Sequence, residues 1–349
     1  MSFFAVTLRK IEKIWAYADP AVNRIELANV SDTTFQFVVR KGEFKVGEEV
    51  LYFPIDSLLP DNVLDKMGLK GKLHGPGKNR LRTVKLRQEI SQGLVARPTD
   101  FFTDDSWRTM TPEQLTETLG VTKYEPEAIS CKACRLISLP DGVSVYDIEG
   151  ADGNIKIVEM LMDQKVCLTE KLEGMNYAAS ILNNELSVCT RKHKVEPIPE
   201  AEHTFWTATK NQGLDKIALE LAKRYEGKRV TLRGEMVGPG IQSNIYKLLT
   251  HKVFLFDILM DGNYLPSDEF FKVCTEFNIS TVPVLATNVT LREWLNGRTI
   301  KDACHGKSIL FDTLREGIVI KPLVEQEIHK FGRLILKSRD PIYLAGSDS

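Results

Sequence analysis

Between residues 165 and 339 the chain carries a series of strand-like runs whose ends are charged. The first, KVCLT (165–169), is apolar and β-branched and continues into Glu170, Lys171, Leu172, Glu173 and Gly174. A lysine at a strand end can be rigidly held, and a glycine three residues on lets backbone approach a ligand. Alone this pattern is weak, because an exposed lysine beside a turn looks the same. Further charged strand ends, in a definite order along the chain, change its weight. LSVCT (186–190) runs into the basic cluster Arg191, Lys192, His193, Lys194. LRGEMVGPGIQ (232–242) puts Glu235 at a strand end beside a Gly-Pro-Gly turn. VFLFDI (253–258) offers Phe254 and Phe256 on a strand, placed on one face by simple alternation. REGIVIK (315–321) sets Glu316 before a strand that ends in Lys321, and LILKSR (334–339) ends in Lys337 and Arg339.

Around these runs the patterning predicts an α+β domain with substantial sheet. Strands are read at 165–169, 229–232, 252–258, 317–320 and 333–337. A helix over 215–225 lines up Ile217, Ala218, Leu221, Ala222 and Tyr225 and stops at Gly227. Ser267 is read as the cap of a helix with Phe270, Val273, Cys274 and Phe277 on one face, and Thr290 with Glu293 as a capping box. Residues 1–100 differ: short strands at 35–40, 44–46, 50–53 and 81–86 separated by turns suggest a small β-barrel or sandwich. A helix should follow it, capped by Thr111, opened by Pro112 and ended by Gly120, with Leu115 and Leu119 sharing a face. Turn residues cluster over 138–154, so the division is placed at 1–145 and 146–349, in keeping with a length of 349 residues.

The formal net charge is −1, which argues against a uniformly basic surface but not against a local one. Eight cations (Lys66, Lys70, Lys72, Lys78, Arg80, Arg82, Lys85, Arg87) occur between 66 and 87 without a carboxylate, around the loop-like His74-Gly75-Pro76-Gly77. Such a run is commonly only a solvated face. Of six cysteines only Cys131 and Cys134 form a CxxC, and no second pair completes a zinc set. The cysteines therefore read as reduced thiols of an intracellular, reducing compartment, cytoplasm or nucleus. No apolar run approaches the ~20 residues of a membrane span, and the N-terminus lacks the pattern of a secretory signal. Neither GxxxxGK[ST] nor a dinucleotide GxGxxG occurs in a suitable setting.

The ordered set from Lys171 to Arg339 resembles the nucleotidyltransferase motifs of the covalent lysyl-AMP ligase superfamily, most closely the RNA ligases. Upstream, NRIELA (23–28), VRKGEFKVG (39–47), RTVKLR (82–87) and SQGL (91–94) are similar to the OB-type module that precedes the ligase domain in Naegleria-type RNA ligases. The resemblance implies an N-terminal OB-like barrel followed by a mixed α/β nucleotidyltransferase domain, ATP-grasp-like, built on antiparallel sheets. It implies an ATP-dependent RNA ligase that joins 3′-hydroxyl and 5′-phosphate ends, at nicks in RNA duplexes, through lysyl-AMP and RNA-adenylate. The alternatives are a DNA ligase or a capping-type guanylyltransferase on the same fold, or a non-catalytic nucleic-acid-binding protein. A monomer is implied, with no obligate protein partner and no membrane.

By the same resemblance Lys171 is the nucleophile, and Lys337 and Lys321 are nearby cations that favour its neutral amine. Glu235 and Glu316 hold a hydrated Mg²⁺ or Mn²⁺, joined by Glu173, where the family more often has aspartate. Glu170 accepts from the adenine amino group and so favours ATP over GTP, Phe256 (or Phe254) stacks on adenine, Leu172 completes the nucleotide set, and Arg191 meets ribose or an end phosphate. Arg339 stands where the family usually has a second lysine. Lys78, Arg80, Arg82, Lys85 and Arg87 become nucleic-acid contacts to the backbone, independent of sequence.

Overall fold

The computed structural model describes residues 4–125, 134–198, 203–226, 228–329 and 331–346. Cys131 and the helix stop at Gly227 lie outside the described residues. The chain divides into two compact units, Met1–Glu127 with Gly150–Lys156 and Leu344–Ser349, and Ala128–Glu149 with Ile157–Tyr343.

The first unit is built on a nearly closed barrel of five antiparallel strands. Their order is Gln36–Arg40, Ile25–Val30, Thr7–Trp15, Glu49–Phe53 and Leu94–Ala96. Thr7–Trp15 pairs on both sides, and its register shifts between Ile11 and Lys13, an irregularity that bends a strand into a barrel. Closure is helped by the Val38 N–H donating to Ser91 Oγ and the Gln92 N–H donating to the Gln36 carbonyl. Val50 and Tyr52 join Ile11, Phe37 and Val95 in one core, whereas Leu51 and Phe53 join Val63, Leu64, Trp107 and Leu115 in another. Both faces of this strand are covered, which explains why it reads as a continuous apolar run. The helix Pro112–Thr118 forms as expected, with the reciprocal Thr111–Gln114 cap. Residues 44–46 are not a strand, and Val46 is exposed. Of 81–86 only Val84–Leu86 is strand, in a hairpin with Glu89–Ser91 turned by Arg87 and Gln88 at φ 48° and 76°.

Among the described residues, two large sheets frame the second unit, beside a small hairpin of Glu327–Ile328 and Gly332–Arg333. A seven-stranded antiparallel sheet runs Cys134–Ser138, His193–Pro197, Glu185–Cys189, Met175–Leu182, Val230–Val237, Lys252–Met260, Asn263–Tyr264. The helices Thr204–Asn211, Leu214–Arg224 and Ser267–Glu276 bury Phe205, Leu221 and Phe270 in its core. The other sheet places Leu336–Arg339, Gly317–Pro322, Lys165–Lys171 and Val284–Thr290 side by side, all antiparallel. Backbone bonds from Leu255 N–H to Ser280, from Val282 N–H to Leu255 and from Glu170 N–H to Pro283 join the sheets. Two local expectations change. Ser267 is the first helical residue rather than the cap, Pro266 holds the cap position, and the buried Ser267 Oγ has no partner. The 333–337 strand breaks into Gly332–Arg333 and Leu336–Arg339, so Lys337 lies within a strand.

Candidate active site

Lys171 is the last residue of its strand, opposite Gly317, and Gly317 is opposite Arg339. At about 4.8 Å per strand step, the row from Lys171 to Arg339 spans roughly 10 Å. Only glycine fits its middle: a Cβ at 317 would lie 2.1 Å from the Ser338 carbonyl oxygen. The tight row delivers Glu316, whose Oε2 is 2.7 Å from Lys171 Nζ. Glu316 is held by its neighbours, because its carbonyl accepts from Asp340 N–H at 2.8 Å and the adjacent Arg315 guanidinium donates to the Ala303, Cys304 and His305 carbonyls.

Glu235 comes from the other sheet, opposite Asn176 on one side and Phe254 on the other. The residue is half-buried, but burial of its carboxyl pushes it up to about 8. Lys171 opposes that shift, Glu316 adds to it and Lys337 opposes it, so these charges share one small region. Gly174 brings the nucleophile turn against this strand: a Cβ there would sit 2.6 Å from Met236 O and 2.7 Å from Glu235 Cγ. Its close approach is therefore to protein. Lys337, half-buried, is opposite Val319, whose other partner is Thr169. The fold thus gathers Lys171, Glu235, Glu316 and Lys337.

The remaining candidates have individual surroundings. Glu170 is buried, with its oxygens taking the Ser308 hydroxyl (2.8 Å) and the Ile309 N–H. Glu173 does not point a free carboxylate at the others, since it accepts from Ser243 N–H at 2.8 Å and from the Tyr343 hydroxyl. Leu172 is in a core cluster with Val237, Tyr246, Phe254 and Val282. The register of Lys252–Met260 slips so that 256 is an extra residue, which breaks the alternation that put both phenylalanines on one face. Phe254 is buried. Phe256 stays half-exposed, its ring centroid 4.8 Å from that of Tyr146. Lys321 pairs with Cys167, four residues along the strand from Gly317 and so about 13 Å from the level of Lys171. It is bound to Asp257 at 2.9 Å and reaches the Phe256 carbonyl at 3.5 Å, so its expected place beside Lys171 is not met. Arg191, in the turn after Glu185–Cys189, bonds Asp147 at 2.9 Å. Among the described residues, no three His, Cys, Asp or Glu side chains form a ready-made metal cage.

In the first unit the 66–87 cations separate into two kinds. Lys78, Lys85 and Arg87 are exposed. Lys70 bonds Asp61 and Asp65, and Arg80 bonds Asp56 at 2.8 Å while lying 3.5 Å above the Tyr124 ring. Arg82 is half-buried. Sequence reading overlooked Ser308, Tyr343 and Tyr246, each joined to the nucleophile segment by hydrogen bonds. Nothing in their local sequence marks them, since each partner is distant in the chain.

The RNA ligase family model matches residues 164–339, and an OB-fold domain model matches residues 5–98. Among solved structures, a variant of Naegleria gruberi RNA ligase with AMP and Mn is similar at TM-score 0.79 and 27% identity, covering 97% of this chain and 98% of that one. A variant with ATP and Mn gives TM-score 0.79 and 27% identity over 97% and 98% of the two chains. The same ligase with PPi gives TM-score 0.77 and 27% identity over 97% of each. No curated protein sequence gives a match.

Proposed function

The chain belongs to the RNA ligase family, and from that premise we propose how its residues join RNA ends. It is an ATP-dependent RNA ligase. The observation that carries the residue assignment is Lys171 Nζ held 2.7 Å from Glu316, with Glu235 and Lys337 in the same field of charge. Lys171 attacks the α-phosphorus of ATP, an N–P bond forms, and the bond to pyrophosphate breaks. Glu316 is within hydrogen-bond reach of the amine and takes its proton. Lys337 offsets the charge that gathers on the α-phosphate. The 5′-phosphate of an RNA strand then displaces Lys171 from AMP, and a 3′-hydroxyl displaces AMP to make the phosphodiester. All three steps are in-line displacements, for which positioning and charge neutralisation suffice.

A hydrated Mg²⁺ or Mn²⁺ fits Glu235 and Glu316, because two acidic groups brought this close in a buried setting call for a cation. When bound, the ion supplies charge neutralisation at the phosphates. Glu173 is assigned to structure, its oxygens being engaged by Ser243 and Tyr343. Phe256, the more accessible ring, is assigned to adenine, and Lys321 supports it through the Phe256 carbonyl. Arg191 is assigned to ribose or an end phosphate. The exposed cations Lys78, Lys85 and Arg87 support a backbone-tracking surface, and nicked duplex RNA is the substrate that this surface favours. The buried thiols of Cys134, Cys167, Cys189, Cys274 and Cys304 suit a reducing compartment, cytoplasm or nucleus.

The test is incubation with ATP labelled at the α-phosphate, followed by denaturation. Label on the chain that vanishes in Lys171→Ala, with sealing of nicked RNA, supports the assignment. Label that persists in Lys171→Ala overturns it.

A further inference from the structure

Glu170, which this reading assigns to the adenine amino group, does not stand alone. The Ser308 hydroxyl donates to one of its oxygens at 2.8 Å and the Ile309 N–H donates to the other. The Ser308 oxygen in turn accepts from Leu310 N–H at 3.2 Å and Phe311 N–H at 3.3 Å. With two N–H groups on its lone pairs, the hydroxyl has one direction left for its proton, toward Glu170. The loop is anchored on its far side: Phe311 packs on Tyr246 with ring centroids 4.4 Å apart and meets Phe254 edge-on at 6.3 Å. Its neck is closed by the Ser308 N–H to Thr313 bond and the Lys307–Asp312 pair.

We propose that Ser308, together with the Ile309 N–H, is a positioning residue that fixes the Glu170 carboxylate as the reader of the nucleotide base, and thereby sets the preference for ATP over GTP. The inference rests on Glu170 contacting the base. A carboxylate has about four lone-pair sites, and the loop uses one on each oxygen, so acceptor capacity remains in a fixed plane. An adenine amino group donates to such an acceptor. The guanine O6 in the same place is itself an acceptor and is repelled. Freed from Ser308, the carboxylate turns about its last torsion, and the distinction between the bases weakens.

Ser308→Ala is therefore expected to raise the ATP KM for self-adenylylation roughly tenfold, about the worth of one hydrogen bond to a charged group, with kcat little changed. The ATP-to-GTP ratio of kcat/KM should fall by a similar factor, and Ser308→Thr, which keeps the hydroxyl, should restore both. Glu170→Ala is measured beside it with the same labelled nucleotides. If Glu170→Ala erodes the ratio but Ser308→Ala does not, Ser308 has no positioning role and the proposal fails. If Glu170→Ala also leaves the ratio unchanged, the contact between Glu170 and the base is itself wrong. An equal loss of ATP and GTP use with a lowered melting temperature in Ser308→Ala marks a purely structural loop and overturns the proposal.

Discussion

Lys171 and Glu316 are separated by 145 residues and meet at 2.7 Å because the strand that Lys171 ends is paired with the strand that Glu316 leads into, with Gly317 opposite Lys171. If Lys171 is the nucleophile and Glu316 takes its proton, the two variants differ in kind. Lys171→Ala should give no labelled chain with ATP, yet still join a strand supplied already adenylylated, since that step needs no lysyl-AMP. Glu316→Ala should retain slow labelling, reduced on the order of 100-fold or more. Single-turnover labelling and joining of the adenylylated strand measure both. Labelling by Glu316→Ala within threefold of the parent would remove it from the proton transfer.

The same row makes Gly317 structurally irreplaceable. A methyl at 317 would lie 2.1 Å from the Ser338 oxygen and 2.9 Å from the Arg339 Cα, both backbone, so no side-chain rotation relieves it. Gly317→Ala should cost about 1–3 kcal/mol or more and lower labelling by displacing Glu316. Gly153→Ala, where a Cβ meets nothing within 4 Å, should change stability by no more than about 0.5 kcal/mol. Denaturant melts of the two variants test the contrast.

The charges beside the apolar runs are legible in sequence because each such juxtaposition is a local pattern. Lys171 does end its strand and Glu316 directly precedes one, whereas Glu235, read as a strand end, lies inside Val230–Val237. The caps at Thr111 and Thr290 are equally local, each closed by a residue three positions on. What was hidden depends on partners across the fold. The bulge at Phe256 is set by the register against Val230–Val237 and leaves no mark in the alternation of its own strand. The partners of Lys321 and Glu173 are likewise invisible locally: Asp257 for the first, Ser243 and Tyr343 for the second. Ser308 lies in a stretch with no periodicity, and its meaning comes from a carboxylate 138 residues away.

Glu235 should make stability depend on pH in an unusual direction. Its carboxyl is raised from 4.5 to about 8 in the folded chain, chiefly by burial. Between those values the unfolded chain releases this proton and the folded chain keeps it, so this group lowers stability as pH rises through the window. Glu235→Gln should remove the slope. In EDTA it should melt a few degrees above the parent at pH 8.5, with little difference at pH 4.5, while losing self-adenylylation. Adding Mg²⁺ should narrow the gap at high pH by stabilising the ionised parent. Parallel melting curves at both pH values would show that Glu235 keeps an ordinary carboxyl.

Asp257 has the opposite sign. Burial alone would raise its carboxyl, but Lys321 and then Arg333 outweigh burial and hold it well below the usual range. Its contribution is present above the ordinary carboxylate pKa near 3.9 and is lost as pH falls through the lower, folded value. Asp257→Asn leaves two buried cations facing a neutral amide and should cost about 3–5 kcal/mol at pH 7. The deficit should shrink only in strong acid. Urea melts across pH 2–7 follow it, and a deficit constant over that range would count against the ion-pair account.

The cations between Lys66 and Arg87 should separate by experiment as they separate by surroundings. Lys78, Lys85 and Arg87 are exposed, and replacing each with alanine removes a charge that can displace a counterion from RNA. Each variant should weaken binding to nicked duplex RNA about equally for different sequences and lower the salt slope by about 1. Arg80 lies over Tyr124 and bonds Asp56, so Arg80→Ala strips a packed guanidinium from the unit. Its loss should appear as about 1 kcal/mol of stability with a smaller change in salt slope, because its charge is already balanced by Asp56. Binding isotherms from 50 to 200 mM salt, set beside melts, distinguish the two effects. If Arg80→Ala lowers the slope as much as Arg87→Ala does, the Asp56 pair opens on binding and Arg80 belongs with the phosphate contacts.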